Sequence, residues 1–356
     1  MQLFPKKLSQ IYLVLFVSAF LTITGNFTFF QKTLLVYPLS ENWLFLGSLF
    51  FFLFTFLAAL LLLFSYRVTT KPILIALLMI SAIVSYSTNN YGIVFDHNMI
   101  LNTFETDTSE FLDLVSFKSI LYFFIFGLLP SIFVLKVKLI KISFKAQLWE
   151  RIKTFLALVI IFVIIVLTFS KHYSSFAREN RDLRLYITPT YYLYSATKFV
   201  DSKFAASTKP FKEIGLDAKL NKKSDKRRLV ILVVGETARA DHMSLNGYDR
   251  NTNPYLEKEE IISFDKMTSC GTDTALSVPC MFSLLDRSSY NHAKGKNMSN
   301  VLDIISHAGV SVLWLDNNSS SKSVADRITF KDYRSSKLNS ICNPECRDEG
   351  MLTNLQ

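Results

Sequence analysis

Apolar residues crowd into the first half of this chain, in long blocks cut by short charged segments. Five blocks stand out: Ile11–Phe30, Trp43–Phe64, Pro72–Ser87, Ile120–Leu135 and Thr154–Phe169. A membrane-spanning helix needs about 20 mostly apolar residues and tolerates about 17. The second and fifth blocks meet that measure directly. The third and fourth are shorter, and the fourth contains Pro130. A soluble core helix is a poor account of runs such as Phe50-Phe51-Phe52-Leu53-Phe54. After about residue 200 the pattern changes to short apolar runs between polar turns. Leu229–Val234 is a continuous, mostly β-branched run that suits a buried parallel strand. Val301–His307 has helical periodicity, ended by Gly309, and Val310–Leu315 reads as a second strand. Strand, helix and strand predict a crossover unit and a parallel sheet.

The chain has 356 residues and a formal charge of +10. Its cations sit in short clusters beside the apolar blocks rather than on a face interleaved with aromatics, which excludes nucleic-acid binding as the reason for the charge. Lys6 and Lys7 precede the first block, Arg67 and Lys71 lie between the second and third, and Lys136, Lys138, Lys141, Lys145, Arg151 and Lys153 join the fourth to the fifth. The loop at 88–118 is acidic instead, with Asp96, Glu105, Asp107, Glu110 and Asp113. The bias of Lys and Arg to the cytoplasmic side puts the N-terminus in the cytoplasm and everything after about residue 170 outside. No small-residue cleavage site follows the first block, so it reads as a retained anchor.

All four cysteines, Cys270, Cys280, Cys342 and Cys346, fall in the external half. An even number in an oxidising compartment favours disulfides, with Cys270–Cys280 and Cys342–Cys346 as the expected pairs. A structural zinc site is the rival, although the close CxxC pairs such sites use are missing. Between membrane and soluble parts, residues 173–204 alternate charge with Tyr186, Tyr191, Tyr192, Tyr194 and Phe199, as interfacial helices do. Lys219–Arg228 is a charged linker. The expected organisation is a transmembrane domain at 1–170, interfacial helices and linker at 171–228, and an α/β domain at 229–356.

Two places carry candidate chemistry. Glu236 follows the first strand candidate, and Asp316-Asn317-Asn318 follows the second, at the carboxyl ends where open α/β sheets bind ligands. Thr268–Cys280 is a run of hydroxyls and one glycine leading into an apolar helix. Any Ser or Thr there could be an N-cap or a nucleophile. A helix N-terminus favours phosphate, and a threonine alkoxide is activated by a metal.

Val234-Gly235-Glu236-Thr237-Ala238-Arg239-Ala240-Asp241-His242, then Asn246-Gly247-Tyr248 and Thr268 through Phe282, resemble the lipid A phosphoethanolamine transferases. These are inner-membrane members of the alkaline phosphatase superfamily, related to the transferable colistin-resistance enzymes. The resemblance continues in Trp314, Asp316–Ser319, Lys322 and Ile341–Leu352, and in Asn98–Ile100 and Asn102–Asp107 of the acidic loop. It implies a helical membrane domain of about five spans and a periplasmic α/β domain of alkaline-phosphatase or sulfatase type.

The resemblance also implies roles. Thr274 matches the nucleophile that takes phosphoethanolamine from phosphatidylethanolamine, and Glu236 with Thr274 matches part of a zinc site. Lys322 matches a lysine near the phosphate. Asn102, Thr106 and Glu110 match substrate-binding residues, as does Ser319; the four-residue spacing of the first three puts them on one helical face. The implied donor is a membrane phospholipid, the acceptor lipid A, and the location a bacterial inner membrane.

Two features depart from the family pattern. The family's Asp-His pair and further zinc-binding histidines have no counterpart among His97, His172, His242, His292 and His307. The α/β part is also short for the superfamily and is expected to be incomplete. A related phospho-group transferase with a glycan or protein acceptor, or an inactive truncated membrane protein, are the alternative readings.

Overall fold

The computed structural model describes residues 7–106, 111–112, 114–207, 210–220, 228–318, 320–343 and 345–353. The chain divides into two compact units, Met1–Ile100 with Thr108–Phe199, and Leu101–Asp107 with Val200–Gln356.

The first unit is helical. Helices α1 (Gln10–Gly25), α2 (Phe27–Val36), α3 (Leu39–Phe64) and α4 (Thr70–Tyr91) come first, and α5 (His97–Glu105) follows at its border. Next come α6 (Phe117–Phe123), α7 (Leu129–Lys136), α8 (Phe144–Thr168) and α9 (Ser170–Glu179), then a 3-10 turn at Arg181–Tyr186 and α10 (Thr190–Ser207). Among the described residues, four stretches are long and apolar enough to cross a membrane: α3, α4, Phe117–Lys136 and α8. The pair α1–α2, bent by 58°, makes a fifth if it counts as one span. The bend sits at Asn26, whose side-chain amide donates to Thr188 O at 2.8 Å while its Oδ1 accepts from Thr188 N at 2.9 Å. A buried carboxamide thus occupies both backbone groups of a distant turn.

Pro130 leaves a mark on its span. The residues just before it, Phe124–Leu128, widen into a π turn between α6 and α7. Proline has no N–H for the residue four back and its ring crowds that carbonyl, and a single wide turn is the usual relief. From the first turn of α7 the Ser131 hydroxyl donates back to Gly127 O at 2.6 Å. Gly127 also lets the turn approach α4: a Cβ there would lie 3.1 Å from the Ala82 Cβ. Close approach at small residues is how helices pack without a hydrophobic drive between them. Leu13, Val14 and Val17 of α1, Leu57, Ala58 and Leu61 of α3, and Leu74 and Leu78 of α4 form the buried centre.

The tyrosines of α10 do not share one environment. Tyr192 is buried, its hydroxyl 3.1 Å from the Ser81 hydroxyl of α4, and burial pushes its pKa up to about 12. Tyr194 is exposed. Of these two, only Tyr194 keeps the solvent-facing position expected of an interfacial tyrosine.

In the second unit, α11 (Thr274–Met281), α12 (His292–Lys296) and α13 (Val301–His307) precede β1 (Leu313–Asp316) and β2 (Thr329–Asp332). The two strands pair in parallel, Leu313 opposite Thr329 and Asp316 opposite Asp332. Helix α13 forms as the sequence indicates, with an Asn300–Asp303 capping box at one end and Gly309 at φ +94 beyond the other. A parallel sheet is therefore present, but the strand expected at Leu229–Val234 is not part of it. Leu229 to Val233 run as unpaired backbone, each residue 64–87% exposed. The β-branched run supplies the propensity, but a strand also needs a hydrogen-bonded neighbour. Only Val234 reaches the small core of Val278, Phe282, Leu302 and Val324.

Residues 221–227 of the charged linker lie outside the described residues. The segment before them is tied down: Lys212 N donates to Asn297 O at 2.8 Å, Ser299 N to Lys212 O at 3.1 Å, and His307 Nε2 lies 2.8 Å from Leu216 O.

Candidate active site

Helix α11 starts where the hydroxyl-rich run ends, and its cap decides what the hydroxyls are free to do. Asp273 is the N-cap, its Oδ1 accepting from Leu276 N at 2.9 Å. Thr274 is therefore the first helical residue, not the cap. Its hydroxyl donates to both carboxylate oxygens of Glu236, at 3.2 and 3.1 Å. An acid next to a hydroxyl at a helix N-terminus, where the dipole and the first N–H groups favour an anion, is an arrangement suited to attack on phosphorus.

Glu236 is held from its own segment as well. The Thr237 hydroxyl donates to Glu236 Oε1 at 3.0 Å, and Thr237 sits at φ +54. A β-branched residue in the left-handed region is strained, and such strain collects at functional sites. Thr237 has no signal in the sequence, because a left-handed threonine leaves no trace in a residue pattern. Asp273 could have been found: an Asp just before an apolar helical run is an N-cap signal.

The cysteine pairs are joined in the structure, Cys270 to Cys280 and Cys342 to Cys346. The first bridge spans the block that holds Thr274, from the turn before α11 to its last residues. The second closes a loop whose backbone is gathered by Asn339. That side chain is fully buried, donates to Tyr333 O at 3.0 Å and Arg347 O at 2.9 Å, and accepts from Ile341 N at 2.9 Å. Asn317, at the carboxyl end of β1, donates to Cys346 O and to Asp348 Oδ1, both at 2.9 Å.

Lys322 is buried in the turn after β1, where Ser320, Lys322 and Ser323 have φ of 146, 50 and 73°. This turn lines a hollow of about 490 Å³ with Ser321, Ala325, Asp326, Ile328 and Phe330. Thr274 and Glu236 are not among the lining residues. On the acidic loop, Asn102 is half-buried on α5, and Thr106 closes the last turn: its N–H and its hydroxyl each donate to Asn102 O at 2.8 Å. The helix ends at Glu105, so the shared face extends from Asn102 to Thr106; Glu110 and Ser319 lie outside the described residues.

His242 belongs to a local knot. Arg239 grips Asp241 with two bonds of 2.9 and 2.6 Å, and His242 Nδ1 adds a contact at 3.1 Å. These partners, Arg239 first, hold the Asp241 carboxyl well below the usual carboxylate range. The His242 ring packs on Tyr248 at 4.8 Å.

For a metal, Glu236 and Thr274 offer oxygen donors side by side. Zinc takes three or four protein ligands. Among the described residues no group of three His, Cys, Asp or Glu is placed to hold a metal ion. The donors present therefore do not by themselves make the zinc site that the sequence resemblance implies.

Residues 53–204 match the family model for phosphoethanolamine transferase EptA/EptB, and residues 228–356 match the sulfatase model. Phosphatidylethanolamine transferase Mcr-1 of Escherichia coli is 42% identical over 365 residues, covering 99% of this chain and 68% of that protein. Phosphoethanolamine transferase EptA of Escherichia coli K12 is 32% identical over 351 residues, covering 96% of this chain and 64% of that protein. The structure of the integral membrane protein lipooligosaccharide phosphoethanolamine transferase A from Neisseria meningitidis superposes with a TM-score of 0.91 at 31% identity, over 98% of this chain and 66% of that one. The chain thus spans about two thirds of the length of these relatives. A helical membrane unit, a unit of sulfatase type carrying the Glu236–Thr274 pair, and likeness along almost the whole chain together mean that this protein belongs to the phosphoethanolamine transferase family.

Proposed function

We propose that this chain transfers phosphoethanolamine from phosphatidylethanolamine to lipid A through a covalent intermediate on Thr274. The observation that carries the reading is the Thr274 hydroxyl, first in α11 and hydrogen-bonded to both oxygens of Glu236. Support for the acceptor comes from the lipooligosaccharide named in the Neisseria relative.

In the first half of the reaction, Thr274 Oγ1 bonds to the donor phosphorus, and the bond from phosphorus to the diacylglycerol oxygen breaks. The Thr274 proton passes toward Glu236, and diacylglycerol leaves with a proton on its oxygen. In the second half a protonated acceptor oxygen bonds to the same phosphorus, the bond from phosphorus to Thr274 Oγ1 breaks, and the acceptor's proton passes by way of Glu236 to Thr274 Oγ1. The α11 N-terminus favours the anionic group throughout. Lys322 is assigned to the phosphate as a cation, and Asn102, Thr106, Glu110 and Ser319 to the ethanolamine-bearing substrate. Zinc is the metal we assign to the Glu236–Thr274 pair, whose two donors would need further ligands to hold it. The soluble unit is assigned to the periplasmic side of a bacterial inner membrane.

The test is reconstitution of the full chain in vesicles of phosphatidylethanolamine and lipid A. The expected product is lipid A heavier by one phosphoethanolamine, formed with one diacylglycerol. Lipid A of unchanged mass, with the donor intact, would overturn the reading.

Thr237 supplies a second prediction. Thr237→Val keeps the shape and removes the hydroxyl that orients Glu236. Partners of this kind typically matter about 10- to 100-fold in activity, and a fall of that size in kcat is expected while Thr237→Ser stays near wild type. Thr237→Gly should relieve about 1–2 kcal/mol of left-handed strain, so thermal stability rises as activity falls. Equal activity of the Val and Ser variants would remove Thr237 from the site.

A further inference from the structure

The segment that follows the last span is built as a strip with one fixed face and one basic face. Helix α9 begins directly after Phe169, the C-cap of α8. On the inner side, Phe169, Tyr173 and Phe176 surround Phe45 at 6.5, 5.4 and 6.0 Å. Tyr173 also stacks on Phe52 at 5.0 Å with its hydroxyl 3.0 Å from the Ser48 hydroxyl, and Phe176 meets Tyr37 at 5.9 Å. Leu183 of the following 3-10 turn is buried in the same cluster.

The other side of the strip is exposed and cationic. Lys171 and Arg178 stand seven residues apart, two turns along one side of α9. Arg181 and Arg184 are three apart in the 3-10 turn, where such positions eclipse. All four are exposed. Lys32 of α2 joins them, its Nζ 4.9 Å from the centre of the Tyr186 ring. Among the described residues the carboxylates of this region include Glu179, 3.5 Å from Arg178, Asp182, and the exposed Glu41 between Leu39 and Trp43. Beside the strip lies exposed apolar surface: Leu35, Leu39 and Trp43 are 82, 62 and 62% exposed and alternate in sequence with Tyr37 and Phe45, which touch α9.

Cations gathered at the end of a span attract anionic headgroups, by about 1 kcal/mol each. On the outer side they run against the bias that puts Lys and Arg in the cytoplasm, and the longer outer loop at 88–118 is acidic. The strip keeps a positive balance against these carboxylates, whereas the donor's phosphate and ammonium cancel, so its net charge draws an anionic lipid in preference to the donor. An anionic acceptor fits both the charge and the apolar edge.

We propose that Lys171, Arg178, Arg181 and Arg184, with Lys32 and the edge at Leu35, Leu39 and Trp43, form the docking surface for the anionic glycolipid acceptor. The proposal rests on the transfer reading and on the outward orientation of this end. Guanidinium groups hold phosphate through paired hydrogen bonds, and Trp marks the level of the headgroups.

The test uses the full chain carrying Arg178→Gln, Arg181→Gln and Arg184→Gln together, with the corresponding three Arg→Lys changes as the charge-keeping control. Retention of labelled lipid A and of labelled phosphatidylethanolamine by the purified protein is measured first. The Gln variant is expected to lose lipid A roughly a hundredfold, to keep phosphatidylethanolamine, and to be largely restored in the Lys variant. In reconstituted vesicles, formation of the Thr274 adduct should be unchanged while KM for lipid A rises. Unchanged lipid A retention, or equal loss of both lipids, overturns the docking surface. Absence of any adduct in the wild type overturns the transfer reading instead, and the retention measurement still decides the surface.

Discussion

On the transfer reading, Thr274→Ala is expected to lower transfer on the order of 10⁶-fold, the scale of losing a nucleophile outright, and to leave no covalent phosphoethanolamine adduct when the intact chain is weighed by mass spectrometry. The change should be silent for folding. Asp273 caps α11, so alanine at the next position removes no capping bond, and alanine is the best helix former. The Cys270–Cys280 bridge still frames the block. Thr274→Ser keeps an oxygen within reach of Glu236 and should retain the adduct at a reduced rate. An adduct that persists in Thr274→Ala would move the nucleophile elsewhere in the chain.

The membrane unit was legible because its signal is redundant: each span is written in some twenty residues, and a shift of a few at either end changes nothing. The sequence block at Ile11–Phe30 became two helices, since Asn26 spends its side chain on Thr188, a partner 162 residues away that no local pattern reveals. In the soluble unit the reverse holds. Leu229–Val234 has strand composition and no strand, while Thr329–Asp332 forms β2 with two polar residues, one lysine and a single phenylalanine. Pairing is a property of two segments, and a short strand is defined as much by its neighbour as by itself. The site shows the same division. Glu236 and Thr274 were found through the surrounding sequence, and the structure brings them within hydrogen-bond distance. Thr237 and Asn339 act through a backbone angle and a buried hydrogen-bond hub, and neither has a one-dimensional signature.

Gly350→Ala is expected to be the most damaging single change in the soluble unit away from Thr274. A Cβ at Gly350 would fall 1.7 Å from Asn339 Oδ1 and 2.3 Å from its Cγ. These are not the tips of a flexible chain: Asn339 is fully buried and bonded to Tyr333 O, Arg347 O and Ile341 N. It cannot yield without surrendering those bonds. Each buried partner left unsatisfied costs about 1–3 kcal/mol, so a loss of about 3–5 kcal/mol is expected once two or three are broken. The damage should be local before it is global. Asn339 and Asn317 together hold the Cys342–Cys346 loop against the end of β1, so hydrogen exchange should accelerate first across 339–351 and then at Asp316 and Asn317. Asn339→Ala in the Gly350→Ala background removes the clash, and should recover part of the stability while leaving the loop's amides unprotected. Exchange rates in Gly350→Ala equal to those of the wild type would mean that the loop has another packing open to it, and that Asn339 does not fix its position.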